Sequence, residues 1–239
     1  MSSTKTAVLL VAGIGSRLRP LTDDRPKALV DIGGETILGR AVRLLGEHGV
    51  ERLVLATGYR EDAVRSALAG SSLEVIYCRN DRFDSTQNAV SLALCRDAVL
   101  GRAFFKLDGD VVFRPEVLAR IDACAAPLAV AVDGTRRTDA EAMKVRLGVG
   151  ERIEAFGKGL ALESAAGESI GIERIAADVG PRLFDALCRP ESVQLYYEDV
   201  YSQLIAAGQL SAGAVEVGDL PWTEVDDPSD LARARALFG

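Results

Sequence analysis

Two rhythms of apolar and polar positions alternate along the first half of this chain. Residues 6–11 form one continuous apolar run, the mark of a strand buried on both faces. Ile37, Leu38, Ala41, Val42, Leu44 and Leu45 then recur at helical spacing, and Gly49 supplies a stop. Further strands are predicted over 52–57, 73–78 and 103–107, with helices over 61–68 and 86–99 between them. Such β-α-β units in series imply an α/β fold: a Rossmann-like, predominantly parallel sheet with helices on both faces.

The second half is less regular. The pattern predicts a helix over 115–124, an extended piece over 128–132, and short β-prone pieces near 144–147, 152–156 and 170–175. Helices are expected over 180–188, 198–207 and 229–238. The short strands suit a mixed or antiparallel extension of the sheet, a small sub-lobe framing an acceptor pocket. No linker, low-complexity stretch or internal repeat interrupts residues 1–239, so one domain is expected. Within it the regular half covers about 1–112 and the less regular half about 113–239.

Composition narrows the partners. The 28 basic and 35 acidic residues leave a net charge of −7, which argues against a nucleic-acid partner. Cys78, Cys95, Cys124 and Cys188 are far apart and form no C-x-x-C pair, so reduced thiols and a cytoplasmic location are expected. The first apolar run is too short for a secretory segment, and no later stretch suits a bilayer. His48 is the only histidine and ends a predicted helix, which makes histidine acid–base chemistry a poor candidate.

Against that acidic background, residues 9–27 read LLVAGIGSRLRPLTDDRPK. A buried strand ending at Leu10 and Ala12 runs into Gly13 and Gly15. Glycines suit a turn whose backbone N–H groups meet phosphate. Arg17, Arg19, Arg25 and Lys27 follow, four cations within eleven positions. Leu18 stands where a dinucleotide fingerprint needs its third glycine, and no Gly-Lys-Ser/Thr follows, so neither familiar phosphate loop fits. An ordinary strand-to-helix turn with solvated arginines is the bland alternative.

Acidic residues stand where a second strand should end. Asp108-Gly109-Asp110 follows Phe105-Lys106-Leu107, and Glu224-Val225-Asp226-Asp227 precedes the last helix. Carboxylates facing a triphosphate repel it unless a divalent cation lies between, which suits Mg²⁺. The plainer readings are an Asp-Gly turn and a helix cap at Asp227. Thr86, Asn88 and Ser91 open an apolar helix with side chains able to read a base edge; a capped helix explains them equally.

Taken in order, the glycine loop with P-K-A-L, the N-D-x-F-x-x-T-x-N-x-x-S-L segment, the D-G-D turn and the late E-V-D-x-x-x-D-L segment resemble the sugar-phosphate nucleotidyltransferase superfamily. Within it they resemble the phosphocholine and phosphonate cytidylyltransferase-like branch. The resemblance implies that Gly13, Gly15, Ser16 and Arg17 hold a triphosphate and that Lys27 neutralises the α-phosphate, making Arg17 and Lys27 the catalytic cations. It places Leu10, Ala12, Thr86, Asn88, Ser91 and Asp108 along the nucleotide, and Asp110 and Asp226 on Mg²⁺, with Asp108 as a substitute for Asp110. Lys144 and Lys158 would meet the acceptor's phosphate or phosphonate, and Glu198 or Asp199 its cationic end.

One departure stands out. Phosphocholine-specific members enclose the quaternary ammonium in aromatic side chains, whereas this chain is 5% aromatic and has Met143 where a ring is sought. Tyr196, Tyr197 and Trp222 offer at most a partial box.

The resemblance implies transfer of CMP from CTP to a small phosphate or phosphonate acceptor, with pyrophosphate released. A sugar-1-phosphate nucleotidyltransferase and a non-catalytic nucleotide-binding module are the alternatives. Leu231, Ala234 and Leu237 of the last helix would pack on the sheet or on a second copy in a homodimer.

Overall fold

A computed structural model describes residues 4–135 and 140–239. The first strand, β1 (Thr6–Leu10), lies between β2 (Arg52–Thr57) and β4 (Phe104–Asp108), with β3 (Glu74–Arg79) beyond β2; all these pairings are parallel. The second half adds β6 (Leu128–Asp133), β7 (Lys144–Leu147), β8 (Arg152–Gly157), β9 (Gly167–Ile175) and β10 (Ala212–Glu216). The resulting nine-stranded sheet has the order β3-β2-β1-β4-β9-β6-β10-β8-β7. β9 runs antiparallel to both β4 and β6, and β7 and β8 pair antiparallel at the far edge, so the expected mixed extension is present. A separate two-stranded sheet joins β5 (Val111–Phe113) to β11 (Trp222–Glu224).

Helices cover both faces. On one face α1 (Ile37–His48), α2 (Glu61–Ala67) and α5 (Glu116–Ala123) bury Leu38, Leu45, Val64, Leu118 and Ile121 against Leu9, Leu53, Leu55 and Phe105. On the other, α3 (Asn88–Ala93), α4 (Arg96–Val99), α6 (Gly180–Leu187) and α7 (Tyr197–Ala206) bury Leu92, Val99, Phe184 and Tyr201 against Val8, Val54 and Phe104. Alternate residues of β1 thus serve opposite cores, and for this reason its sequence is apolar throughout. Each large apolar side chain so removed from water contributes about 1.5–3 kcal/mol.

A third, smaller cluster positions the site. Leu18, Val30, Ile37, Val112, Val225 and Leu231 pack together, joining the loop after β1, the strand after the D-G-D turn and α8 (Pro228–Phe238). Strand order reverses between β1 and β4, so their carboxyl ends leave a crevice where ligands bind in open α/β sheets. Leu10 lies opposite Asp108 in that register, and Gly109 N donates to Leu10 O at 3.0 Å.

Expected and observed boundaries differ in instructive places. The helix expected over 86–99 is two helices, because Cys95 N donates to Leu92 O and Ala98 N to Cys95 O, tightening the chain to i→i−3 bonds between them. Strands β5 and β11 were absent from the sequence reading: at three residues each they carry no periodicity, and they find each other across more than a hundred positions. Strand β10 was also missed; its AGAVE sequence offers little β-propensity before Val215.

Candidate active site

The crevice holds a cavity of about 770 Å³. Its lining brings together Leu10, Ala12, Gly13, Gly15, Arg17, Lys27, Thr86, Asn88, Ser91, Asp108, Asp110, Lys158, Glu198 and Asp226, residues drawn from both halves of the chain.

Backbone geometry sets the loop. Gly15 has φ 71° in the left-handed region, and a Cβ built there would stand 2.7 Å from Lys27 Cβ. Thr22 Oγ1 donates to Gly15 O at 2.9 Å and folds the loop back on itself. A Cβ at Gly13, in contrast, would meet nothing within 4 Å, which leaves that backbone open to the cavity.

Lys27 occupies the centre. Its Nζ lies 2.6 Å from Asp110 Oδ2 and 2.6 Å from Asp226 Oδ1, and Arg17 reaches Asp226 Oδ2 at 2.8 Å. Burial opposes the charge on Lys27, yet Asp110 and Asp226 outweigh it and hold the lysine above its ordinary value. Burial likewise opposes charge on Asp226, but Lys27 and then Arg17 keep its carboxyl below the usual range. The two aspartates meet because β5 and β11 pair in a register that ends with Val225 N donating to Asp110 O at 3.0 Å. Glu224 lies beside them. Glu224 is itself exposed, and the negative charge of Asp110, Asp108 and Asp226 around it raises its carboxyl above the ordinary value.

This carboxylate cluster fits a divalent cation. Asp110, Glu224 and Asp226 all line the cavity, and the ammonium between Asp110 and Asp226 marks a cation position. Among the described residues no three His, Cys, Asp or Glu side chains gather closely enough to hold a metal by themselves. Two carboxylates completed by phosphate oxygens are what Mg²⁺ commonly takes.

Asp108 is differently engaged. Its Oδ1 lies 3.2 Å from Lys106 Nζ, and its Oδ2 accepts from Tyr197 Oη at 2.7 Å. Burial raises its carboxyl, Lys106 pulls it down, and Asp110 adds to the rise. Lys106 is fully buried, 2.8 Å from Glu173 Oε2 and 3.5 Å from the Tyr197 ring centre. Neither Lys106 nor Glu173 was singled out in the sequence, because a lone lysine inside an apolar strand gives no sign of its partners.

On the helix side, Asn80, which opens the N-D-x-F-x-x-T-x-N-x-x-S-L segment, is the organiser. Its buried Nδ2 donates to Thr86 Oγ1 at 3.0 Å and to Ser91 Oγ at 3.1 Å. Thr86 Oγ1 in turn donates to Arg82 O, and Asn88 Oδ1 accepts from Tyr197 N. Ser91 and Asn88 both line the cavity.

Three expected residues lie outside the lining. Lys144 is 1% exposed and donates to the carbonyls of Ala140, Ala142 and Lys158, so its ammonium is spent on the backbone. Asp199 caps α7, its Oδ2 accepting from Tyr196 N at 2.9 Å. Ser16 starts a single 3₁₀ turn with its side chain outside the cavity wall. The partial aromatic box is assembled only in part: Tyr196 and Trp222 line the cavity, Trp222 donating through Nε1 to Asp133, whereas Tyr197 lies outside the lining with Lys106 on its ring. His48 is not part of the cavity lining and stands 3.3 Å from Asp122.

Comparison with known proteins agrees with this layout. Residues 7–161 match the MobA-like NTP transferase domain. The chain belongs to that family. The transferase domain is 34% identical to CMP-5'-(3-aminopropyl)phosphonate synthase of Streptomyces rubellomurinus, across 97% of this chain and 38% of that protein. It is 25% identical to CTP:phosphoglutamine cytidylyltransferase of Campylobacter jejuni, across 94% of this chain and 97% of that one. The chain spans 38% and 50% of the first two curated relatives it matches. Among solved structures, the inositol-1-phosphate CTP transferase of T. maritima superposes with a TM-score of 0.83 at 26% identity, covering 99% of this chain and 95% of that one. The fold is also that of a CTP:phosphocholine cytidylyltransferase from Streptococcus pneumoniae, at TM-score 0.78 and 18% identity over the whole of both chains. The family resemblance read from the glycine loop and the acidic turns therefore holds. No helix among the described residues is long and apolar enough to cross a membrane.

Proposed function

We propose that this transferase domain moves CMP from CTP to a small phosphate or phosphonate acceptor of the phosphocholine or 2-aminoethylphosphonate kind. The observation that carries the reading is Lys27 between Asp110 and Asp226 beneath an open glycine loop, in a chain similar to a CMP-aminopropylphosphonate synthase. An oxygen of the acceptor attacks the α-phosphorus of CTP in line. The new P–O bond forms as the bond to the β-phosphate bridging oxygen breaks, and pyrophosphate leaves. A phosphonate or phosphate oxygen is already ionised near neutral pH, so no general base is needed and the absence of histidine from the site costs nothing.

The loop N–H groups of Gly13 and Gly15 and the guanidinium of Arg17 receive the triphosphate. Lys27 offsets the charge that builds on the α-phosphate. Ser91 and Asn88 face the cytosine edge, and Lys158 meets the acceptor anion. Asp110 and Asp226 hold a Mg²⁺ that supplies charge neutralisation of the triphosphate. Catalysis on this account is alignment and electrostatics.

A pyrophosphate-release screen of four nucleoside triphosphates against 2-aminoethylphosphonate, phosphocholine and hexose-1-phosphates tests the proposal. Release with CTP and a phosphonate or phosphocholine is expected. Release with a hexose-1-phosphate alone would transfer the assignment to a sugar nucleotidyltransferase. Similarity to mannose-1-phosphate guanylyltransferase 1 of Arabidopsis thaliana, 35% identical, supports that second reading over only 44% of the chain.

A further inference from the structure

The far end of the cavity, bounded by Met143, Lys158, Ser169, Tyr196 and Glu198, contains an unmet demand for a cation. Glu198 is 4% exposed at the start of α7 and lines the cavity, and its Oε2 has no hydrogen-bond partner among the described residues. Behind it lie Asp108 on β4 and Glu173 on β9, with Tyr197 and Tyr201 on its own helix. Lys106 is the cation in contact with this group, 2.8 Å from Glu173 and 3.2 Å from Asp108. Three carboxyl groups thus crowd one ammonium, and Glu198 Oε2 on the cavity wall is the one left without a donor among the described residues. Lys158, the other cation at this end among the described residues, is 42% exposed in its side chain and stands 3.9 Å from Glu141. Burial pushes the Glu198 carboxyl up to about 8, Lys106 opposing and Asp108 and Glu173 adding to the rise.

We propose that Glu198 selects an acceptor bearing a primary ammonium, which donates an N–H to the unpartnered Oε2 and supplies the missing positive charge. This rests on the proposed transfer to a phosphate or phosphonate acceptor and names the group at its other end. A quaternary ammonium has no N–H and would leave Oε2 unsatisfied. It prefers an aromatic cage, and here the ring of Tyr197 already carries Lys106 at 3.5 Å and that of Tyr196 has Lys158 at 5.2 Å. A plain alkyl tail brings neither charge nor donor. Sites built around a buried polar group reject analogues lacking its partner far more strongly than apolar pockets reject a missing methylene.

The test measures binding and turnover of 3-aminopropylphosphonate, propylphosphonate and phosphocholine, each with CTP and Mg²⁺ present. The wild-type protein is expected to bind 3-aminopropylphosphonate at least on the order of 100-fold more tightly than propylphosphonate and to disfavour phosphocholine. Glu198→Gln is expected to collapse the ratio of kcat/KM between amino and plain acceptors towards one, with CTP affinity reporting that the variant is folded. Equal affinity of the wild type for the two propylphosphonates overturns the inference, as does a Glu198→Gln protein that binds CTP and keeps its preference. Selective binding of the amino acceptor without pyrophosphate release supports the ammonium site and counts against the transfer reading instead.

Discussion

Lys27 is tied to Asp110 and Asp226 at 2.6 Å each, and its neighbour across the loop, Gly15, leaves the space in which its stem lies. Replacing Lys27 by Ala removes the cation proposed to face the α-phosphate. Steady-state kinetics should show kcat lower by on the order of 10²-fold or more with a normal circular dichroism spectrum. Gly15→Ala places a Cβ at a φ of 71° and 2.7 Å from Lys27 Cβ. The left-handed backbone alone costs about 1–2 kcal/mol, so urea denaturation should register at least that loss. CTP affinity should fall with it. Glu173 yields a pH prediction. Burial, partly opposed by Lys106, raises its carboxyl from the ordinary 4.5 to about 7, so the folded state holds a proton that the unfolded chain has released. Its contribution to stability is complete below pH 4.5 and is lost as pH rises through about 7. The melting temperature should decline across that window, and Glu173→Gln should make the decline shallower.

At the scale of elements, short and local features decide where chemistry lands. The capping box of α8, with Asp227 Oδ1 accepting from Ser229 N at 2.8 Å and Asp230 N at 3.0 Å, fixes the helix that follows Asp226. Asp227→Ala should cost about 1 kcal/mol in denaturant unfolding and loosen CTP binding more than that loss alone implies. The sequence displayed the long elements well: β2 and β7 have the predicted bounds, and α1 runs between its cap and Gly49. It displayed the glycine loop and both acidic turns, because charge and glycine at close spacing are local signals. It concealed the β5–β11 pairing that brings Asp110 to Asp226, since register between distant three-residue strands is written in tertiary contacts. It also concealed how side chains are spent. Lys144 and Asp199 have the right types for an acceptor site, but backbone carbonyls and a helix end claim them. Asn80 opens the N-D-x-F-x-x-T-x-N-x-x-S-L segment without revealing its bonds to Thr86 and Ser91, and Lys106, buried in an apolar strand, gave no pattern of its own.

In the whole molecule, a parallel half supplies the glycine loop and the helix that opens with Asn88, proposed to take the triphosphate and the base, and an antiparallel half closes the crevice with an acidic far end. The acidic lining makes sense only with cations shared among protein, nucleotide and acceptor, and this division of charge is the central claim. Calorimetric titration of CTP with and without Mg²⁺, on wild-type protein and on Asp110→Asn/Asp226→Asn, tests it most directly. The wild type should bind CTP at least on the order of 10-fold more tightly with Mg²⁺ than without, and the double variant should lose that dependence. Equal affinity of the wild type in the two conditions, or a double variant whose Mg²⁺ dependence is intact, would contradict the account.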